Sequence, residues 1–204
     1  MKKELAVLMA TAALSGPMTA HADNHIDAPS GTYVNDPAHT RLLWKIEHLG
    51  LSNYTARING VAITLEFDAA DPAKSAVAAR IDPLSVDTGF AGDKDFDAEI
   101  ATDPKILNAG EFPSIEFTSS AVTMTSATTA EIQGELTLLG ITLPVALNAV
   151  LTGSTTSHPF ARVPALGFSA TGSFDRTDFG LTFLSGSALG DTIEIDIQTE
   201  FIKQ

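Results

Sequence analysis

The sequence predicts an all-β protein whose antiparallel strands close into a barrel. The first observation is alternation, because apolar residues occupy every second position in several runs, most clearly 61–67, 141–151 and 193–201. Successive side chains of a strand point to opposite faces, so such runs indicate strands with one buried face and one solvent-exposed face. The second observation is that about eight such runs follow one another without a helical domain between them, which is typical of a sandwich or a barrel.

The chain begins with the features of a secretory signal. Lys2 and Lys3 precede an apolar stretch at 5–14, and Ala20-His21-Ala22 has the small-x-small pattern of a signal peptidase site. Such a stretch is too short for a bilayer, which needs roughly 20 residues. We therefore expect a signal peptide at 1–22 that is cleaved after Ala22, a flexible tether at 23–31, a barrel domain at 32–204, and a periplasmic location.

Strands are predicted in order from residue 41 onward. The first places Leu42, Trp44, Ile46 and His48 on one face. The others are predicted at about 54–67, 76–81, 115–124, 132–138, 141–151, 168–174 and 192–202. Pro144 lacks an N–H for a ladder bond, so it indicates an edge, a bulge or a strand start.

The segment from Asp93 to Gly110 breaks the two-residue period. Phe96 and Ile100 are four residues apart, which is a helical spacing, and Asp103-Pro104 resembles an N-cap followed by proline at the first helical position. We expect two short helices here, the only ones in the chain, covering one flank or end of the barrel.

The composition excludes several partners. With 25 acidic and 12 basic residues the chain has a formal net charge of −13, so it repels nucleic acid and anionic membrane surfaces. The chain has no cysteine and hence no disulfide, so the core alone must hold the fold. We expect no nucleic-acid partner and no stable membrane insertion, and the sequence leaves a homodimer open.

Short motifs along the chain carry a family resemblance. They are Tyr33-x-x-Asp36-Pro37-x-His39-Thr40, Trp44-x-x-x-His48-Leu49-Gly50, the segment Phe112–Phe117, the hairpin Gln133–Val145, Gly167-Phe168-Ser169-Ala170, the segment Arg176–Leu181 and Gly190-Asp191-Thr192-Ile193. Their order across nearly the whole predicted domain resembles the YceI-like family. The resemblance implies an extended, lipocalin-like, eight-stranded antiparallel barrel. It also implies a soluble periplasmic protein that holds a polyisoprenoid or similar long-chain lipid and has no catalytic residues.

The apolar strand faces supply a candidate lining for a tunnel that holds one isoprenoid chain, such as a polyprenyl lipid or a quinone tail. A small eight-stranded barrel can be filled by its own side chains or can hold a ligand. Phenylalanines mixed with small residues favour space inside, although the same pattern also fits a filled core in which Trp44 and His48 close one end. The predicted lining residues are Leu42, Trp44, Ile46, His48, Phe67, Phe117, Leu136, Phe168, Ala170, Gly172, Phe174 and Phe179.

Signals for chemistry are weak. Asp36, His39 and His48 are candidate metal ligands, but the strand pattern turns His48 inward while His39 lies in a turn. No Gly-x-Ser-x-Gly elbow is present, and Arg176 with Asp178 is interpreted as a local ion pair or loop brace. We predict no metal, no catalytic residue and no cofactor apart from the bound lipid. The alternatives are an outer-membrane β-barrel and a stress-related periplasmic enzyme that acts on a bound lipid.

Overall fold

The computed structural model describes residues 26–204, so the predicted signal peptide and residues 23–25 of the predicted tether lie outside the described part. The strands are β1 (Gly31–Asn35), β2 (Arg41–His48), β3 (Ser52–Ile58), β4 (Val61–Phe67), β5 (Ala76–Ile81), β6 (Val86–Asp87), β7 (Ile115–Met124), β8 (Thr129–Leu138), β9 (Ile141–Thr155), β10 (Ala165–Asp175) and β11 (Leu189–Lys203). Helix α1 spans Phe96–Thr102, and 3-10 helices span Pro37–His39, Pro72–Lys74, Pro83–Ser85 and Arg176–Phe179.

Six of the short strands combine into three long, interrupted ones. β1 and β2 pair with different parts of β11, at 201–203 and 189–198 respectively. β3 and β4 form the second long strand, in which β3 pairs with β2 and β4 pairs with β1. β5 and β6 form the third, in which β5 pairs with β4 and β6 pairs with β3. Together with β7 to β11 these make eight long antiparallel strands, and the pairing of β11 with β1 and β2 closes the sheet. The predicted eight-stranded antiparallel barrel is therefore confirmed.

A buried polar network holds the interruption between β1 and β2. The Asn35 amide donates to Thr40 Oγ1 (2.9 Å) and to the Val61 carbonyl (3.0 Å), and Asn35 Oδ1 accepts from the Ile63 N–H (2.7 Å). The Thr40 hydroxyl lies 2.8 Å from that of Thr199 on β11. Because buried polar groups destabilise a fold unless they are hydrogen-bonded, this network fixes the bend instead of weakening it.

The apolar side of the sheet faces inward. On β4 the side chains of Val61, Ile63, Leu65 and Phe67 are only 6–8% exposed, whereas the residues between them face solvent. The buried residues form two hydrophobic clusters along the inside of the barrel. Among residues 26–204 no helix is long and apolar enough to cross a membrane.

The two ends of the barrel differ. The α1 end carries the turn between β2 and β3, the segment 88–114, the turn between β8 and β9, and the loop between β10 and β11. The β1 end carries the start of β1, the connection from β4 to β5 and the turn between β7 and β8. At the β1 end, Ala28 is buried in the core and the Tyr33 hydroxyl donates to the Pro29 carbonyl (2.6 Å). Within the segment predicted as a tether, Ile26 and Ala28 thus pack against the core of the barrel.

The segment 93–110 contains one α-helix, and the prediction of a second was wrong. Asp95 caps α1 because its Oδ1 accepts from the Ala98 N–H, three residues on (2.9 Å). Asp103 Oδ1 accepts from the Lys105 N–H, only two residues on (2.8 Å), and this bond closes a tight turn in place of a helix. Asp103 also ends α1, since a residue before proline disfavours the helical conformation.

Candidate ligand-binding cavity

A cavity of about 650 Å³ lies inside the barrel. This volume falls within the range of roughly 300–1,000 Å³ that is usual for small-molecule sites. Strands around the barrel contribute to the wall, and α1 with its flanking segments covers part of it. Apart from His48, Tyr54, Glu99, Arg176 and Thr199, the residues on the wall are hydrophobic. The interior is therefore not a filled core, and its surface suits an apolar ligand.

Most of the predicted lining residues lie on this wall. Leu42, Trp44, Ile46 and His48 alternate along β2 as the pattern predicted, with His48 exposed at the α1 end. The Trp44 ring lies 5.9 Å from that of Tyr54 on β3. The predicted residues found on the cavity wall are Leu42, Trp44, Ile46, His48, Phe117, Leu136, Phe168, Ala170 and Phe174.

Two of the predicted lining residues, Phe67 and Phe179, are placed elsewhere. Phe67 lies at the β1 end, where it borders a second cavity of about 70 Å³ and contacts the Tyr33 ring edge-on at 6.1 Å. Phe179 is 2% exposed and packs edge-on behind Phe174 at 5.4 Å, so it supports the wall without forming it. Both side chains are buried and apolar, as predicted, but neither faces the main cavity.

Gly172 is the third predicted lining residue that does not lie on the cavity wall. A Cβ atom at this position would lie 2.7 Å from Leu147 Cδ2 and 2.9 Å from the Ala146 carbonyl oxygen. The glycine therefore allows β9 and its side chains to approach β10 closely, and it opens no space toward the cavity. Ala170, two residues earlier on the same face, does lie on the wall.

Non-strand segments contribute wall residues that were not among the predicted lining. Phe90 and Phe96, the first residue of α1, pack edge-on at 4.8 Å. The helical spacing of Phe96 and Ile100 predicted a helix but not which cavity it faces, and strand periodicity does not detect Phe90. The missed residues from these segments are Phe90, Phe96, Glu99, Ile100, Ile106, Leu107, Leu181 and Phe183.

The α1 segment covers the place where strand pairing is interrupted. β6 has only two residues and pairs with β3 only at Arg57 and Ile58. Thr88 directly follows β6, and its N–H and hydroxyl both donate to Asp97 Oδ1 of α1 (2.8 and 2.6 Å). These two hydrogen bonds hold α1 against the end of β6. Its apolar side chains close the cavity from this side.

Arg176 braces the loop at the α1 end. Its side chain is 0% exposed, and its Nε donates to the Gly190 carbonyl (2.8 Å) while its Nη1 donates to the carbonyls of Leu181 (2.6 Å) and Phe183 (3.0 Å). Its Nη2 lies 3.5 Å from Asp191 Oδ1. Burial lowers the pKa of Arg176, and the negative charge of Asp191 opposes this effect. The predicted loop brace is present, with Asp191 as the ion-pair partner and Asp178 exposed.

The three candidate metal ligands are not brought together. His39 Nδ1 lies 2.8 Å from Asp36 Oδ2 on the surface, and this hydrogen bond, with Glu200 nearby, raises the pKa of His39. His48 lies at the far end of β2, which at about 3.3 Å per residue puts it more than about 20 Å away. Within residues 26–204 no group of three or more His, Cys, Asp or Glu residues is arranged to hold a metal ion.

These features define a closed antiparallel β-barrel with an apolar interior cavity and a short helical segment over one flank. The model of the YceI-like domain matches residues 33–201. Over 204 residues the chain is 32% identical to a UPF0312 protein of Shewanella baltica, and the match covers all of both chains. The chain belongs to the YceI-like family.

Solved structures show the same fold. Burkholderia cenocepacia BcnA superposes with a TM-score of 0.70 at 18% identity, over 81% of this chain and 98% of that one. A polyisoprenoid binding domain from Saccharophagus degradans, implicated in plant cell wall breakdown, superposes with a TM-score of 0.61 at 13% identity, over 86% of this chain and 99% of that one. At these identities the likeness concerns the fold.

Proposed function

We propose that this protein is a non-catalytic periplasmic carrier that holds one long-chain isoprenoid lipid, such as a polyprenyl chain or a quinone tail, inside the barrel. The observation that carries the proposal is the cavity of about 650 Å³ with its almost entirely hydrophobic wall. Moving apolar surface out of water contributes about 25 cal/mol per Å², so a long hydrocarbon chain gains more here than a compact polar ligand would.

The choice of an isoprenoid is supported by the fold neighbour from Saccharophagus degradans, which is a polyisoprenoid binding domain. The location is supported by the predicted signal peptide at 1–22, which lies outside the described residues. The inward orientation of the apolar strand faces argues against the outer-membrane alternative, because membrane barrels turn their apolar faces toward lipid.

The polar groups on the wall support binding in preference to catalysis. Arg176 is committed to three backbone carbonyls, Glu99 forms an ion pair with Lys94, and the Thr199 hydroxyl is bonded to that of Thr40. General acid–base chemistry needs a group within hydrogen-bond reach of the substrate and able to exchange a proton. These three side chains serve the architecture of the barrel, which favours the carrier over the lipid-modifying enzyme. The other two polar residues on the wall are His48, which is exposed at the α1 end, and Tyr54, whose ring lies beside that of Trp44.

Trp44 provides the test, because it is the only tryptophan of the chain and lies on the cavity wall. Delipidated protein is titrated with a polyprenyl lipid or a long-tailed quinone, and we expect a saturable change of Trp44 emission at one ligand per chain. Ala170→Phe places a ring in the cavity and is expected to abolish the change. The matched control Thr171→Phe alters the neighbouring, outward-facing residue and is expected to bind normally.

The carrier proposal fails if folded wild-type protein gives no saturable response with any long-chain lipid, or if Ala170→Phe binds as well as Thr171→Phe. Organic extracts of protein purified gently from its own periplasm, analysed by mass spectrometry, then identify the bound lipid. Recovery of a modified lipid product in place of the lipid supplied would favour the enzyme alternative.

A further inference from the structure

The barrel contains a second, smaller cavity at the β1 end. Its volume is about 70 Å³, and its wall includes Phe67 on β4, Ala76 on β5, Met124 on β7 and Ala130 on β8. These four residues lie at the strand ends beyond the main cavity, and the wall also includes Pro72, Ser75, Ala127 and Thr128 from the two connections at this end. The second cavity therefore lies at the β1 mouth of the barrel, next to the main cavity.

Five residues belong to the walls of both cavities and separate them. They are Leu65, Val77, Ile132, Ala149 and Phe168. Phe168 is the largest of the five and is only partly buried, so part of its ring faces open space. The ring is held edge-on against Phe201 at 5.9 Å and an interplanar angle of 82°.

The backbone fixes the direction of this ring. β10 pairs with β11 in unbroken register across Phe168, which lies opposite Thr199, so the regular alternation of β10 directs the ring inward. The irregularity in the pairing with β9 lies on the other strand, where Thr152 is the extra residue. A Cβ atom on Gly167 would lie 2.8 Å from Thr152 Oγ1, so a larger residue there would have to displace the Thr152 hydroxyl. Phe168 is thus held in place by both the backbone and its aromatic neighbour.

We propose that Phe168 sets the length of the isoprenoid chain that the barrel accepts, by ending the main cavity and closing off the second one. This inference rests on the proposed function and adds a specificity-determining residue to it. A chain that enters the main cavity extends toward the β1 end until its terminal unit meets the Phe168 ring. Removal of the ring joins the second cavity to the first.

The gain in length follows from the strand geometry. The second cavity extends the path by two strand positions, from Leu65 to Phe67 on β4. Two positions at about 3.4 Å, on strands tilted by about 40°, correspond to about 5 Å along the barrel axis. With bonds of about 1.5 Å, the four main-chain carbons of an isoprene unit advance by about 5 Å. Loss of the ring should therefore admit about one additional isoprene unit.

The experiment measures the affinity of delipidated full-length protein for a series of polyprenols that differ by one isoprene unit, with Trp44 emission as the readout. For the wild type we expect affinity to increase with each unit up to a limit. In Phe168→Ala we expect the limit to move up by one unit, with the first over-length polyprenol bound at least about tenfold more tightly than by the wild type, because its extra carbons leave water.

Two further variants make the result specific. Phe174→Ala removes the same side chain from the same face of β10, but Phe174 borders the main cavity alone. We expect it to change the affinity for every chain by a similar factor and to leave the limit where it was. Ala130 borders the second cavity alone, so adding Ala130→Leu to Phe168→Ala should refill that space and restore the wild-type limit.

The outcomes separate this inference from the function on which it rests. If wild-type protein binds no polyprenol of any length, the carrier proposal itself is wrong. If the wild type shows a limit that stays unchanged in folded Phe168→Ala, or that moves equally in Phe174→Ala, Phe168 does not set the length. Circular dichroism melts establish folding, and Phe168→Leu, which keeps more of the core, replaces Phe168→Ala in the same comparison if the latter does not fold.

Discussion

Replacement of Arg176 should weaken the fold more than the loss of any surface ion pair. The guanidinium donates to the carbonyls of Leu181, Phe183 and Gly190 and has no exposed surface. Arg176→Met leaves these acceptors without their donor in a buried environment. Arg176→Lys keeps the charge but lacks the planar fork that contacts three carbonyls at once, so it should recover little of the loss.

The magnitude can be estimated from the contacts. A buried acceptor that loses its partner costs about 1–3 kcal/mol, and removing one member of a buried ionic group costs about 3–5 kcal/mol. Because Arg176 Nη2 makes no hydrogen bond, its removal also relieves some unfavourable burial. We therefore expect Arg176→Met to lower the free energy of unfolding by about 3 kcal/mol. For a domain of this size that loss lowers the Tm by about 6–12 °C.

Urea denaturation of wild type, Arg176→Met and Arg176→Lys measures the effect. The control is Arg57→Met, whose guanidinium is 49% exposed and pairs with Asp87 on the surface, so we expect a loss of at most about 1 kcal/mol. Hydrogen exchange in the loop 181–190 should accelerate in both Arg176 variants and remain unchanged in the control. A loss of less than about 1 kcal/mol in Arg176→Met would refute the interpretation of this residue as a brace.

Three further predictions concern pH, the covering segment and export. The hydrogen bond to Asp36 raises the pKa of His39 above its ordinary value of 6.5, so the interaction stabilises the fold fully below that pH and is lost as the pH rises through the folded-state pKa. In urea titrations the advantage of wild type over His39→Gln should therefore shrink as the pH is raised above 6.5, and a constant advantage would contradict the assignment. Amides of α1 should exchange faster than those of β9 and become slower when lipid is bound; equal protection in both states would exclude a gating role for α1. N-terminal sequencing of the exported protein should begin at Asp23, whereas an intact Met1 in washed outer membranes would contradict both the cleavage and the soluble product.

The strands could be predicted from the sequence because their signal is local. Alternation over six or more residues fixes which side chains face inward, and so the wall residues of β2 follow from the pattern alone. Gly172 and Ala170 show what alternation cannot predict. They are small residues on one face of one strand, and only the position of Leu147 on the neighbouring strand makes one a packing contact and the other part of the cavity wall. That distinction depends on distances between strands, which periodicity does not contain.

The same limit explains why the prediction of a second helix was wrong. Asp95 and Asp103 are both acidic residues ahead of a short apolar pattern, and Asp103 is followed by the proline that favours a helix start. Whether a helix or a tight turn forms depends on which N–H the carboxylate accepts from. Asp95 accepts from the N–H three residues on and begins a helix, whereas Asp103 accepts from the N–H two residues on and closes a turn. Sequence signals for caps and for tight turns overlap, so they cannot decide between these two geometries.

The difference between the two barrel ends indicates where a ligand enters. At the β1 end, Ala28 and Tyr33 are buried in the core, and Phe168 borders both the main cavity and the second one. At the α1 end the cover is a helix of seven residues, and isolated helices shorter than about 12–15 residues are marginal in water. Its order must come from packing, and Phe96 and Ile100 pack toward the cavity. Since a bound chain supplies part of that apolar surface, ligand binding should order the cover and loss of the ligand should loosen it. We therefore expect entry and release at the α1 end, with the terminal isoprene unit leading toward Phe168.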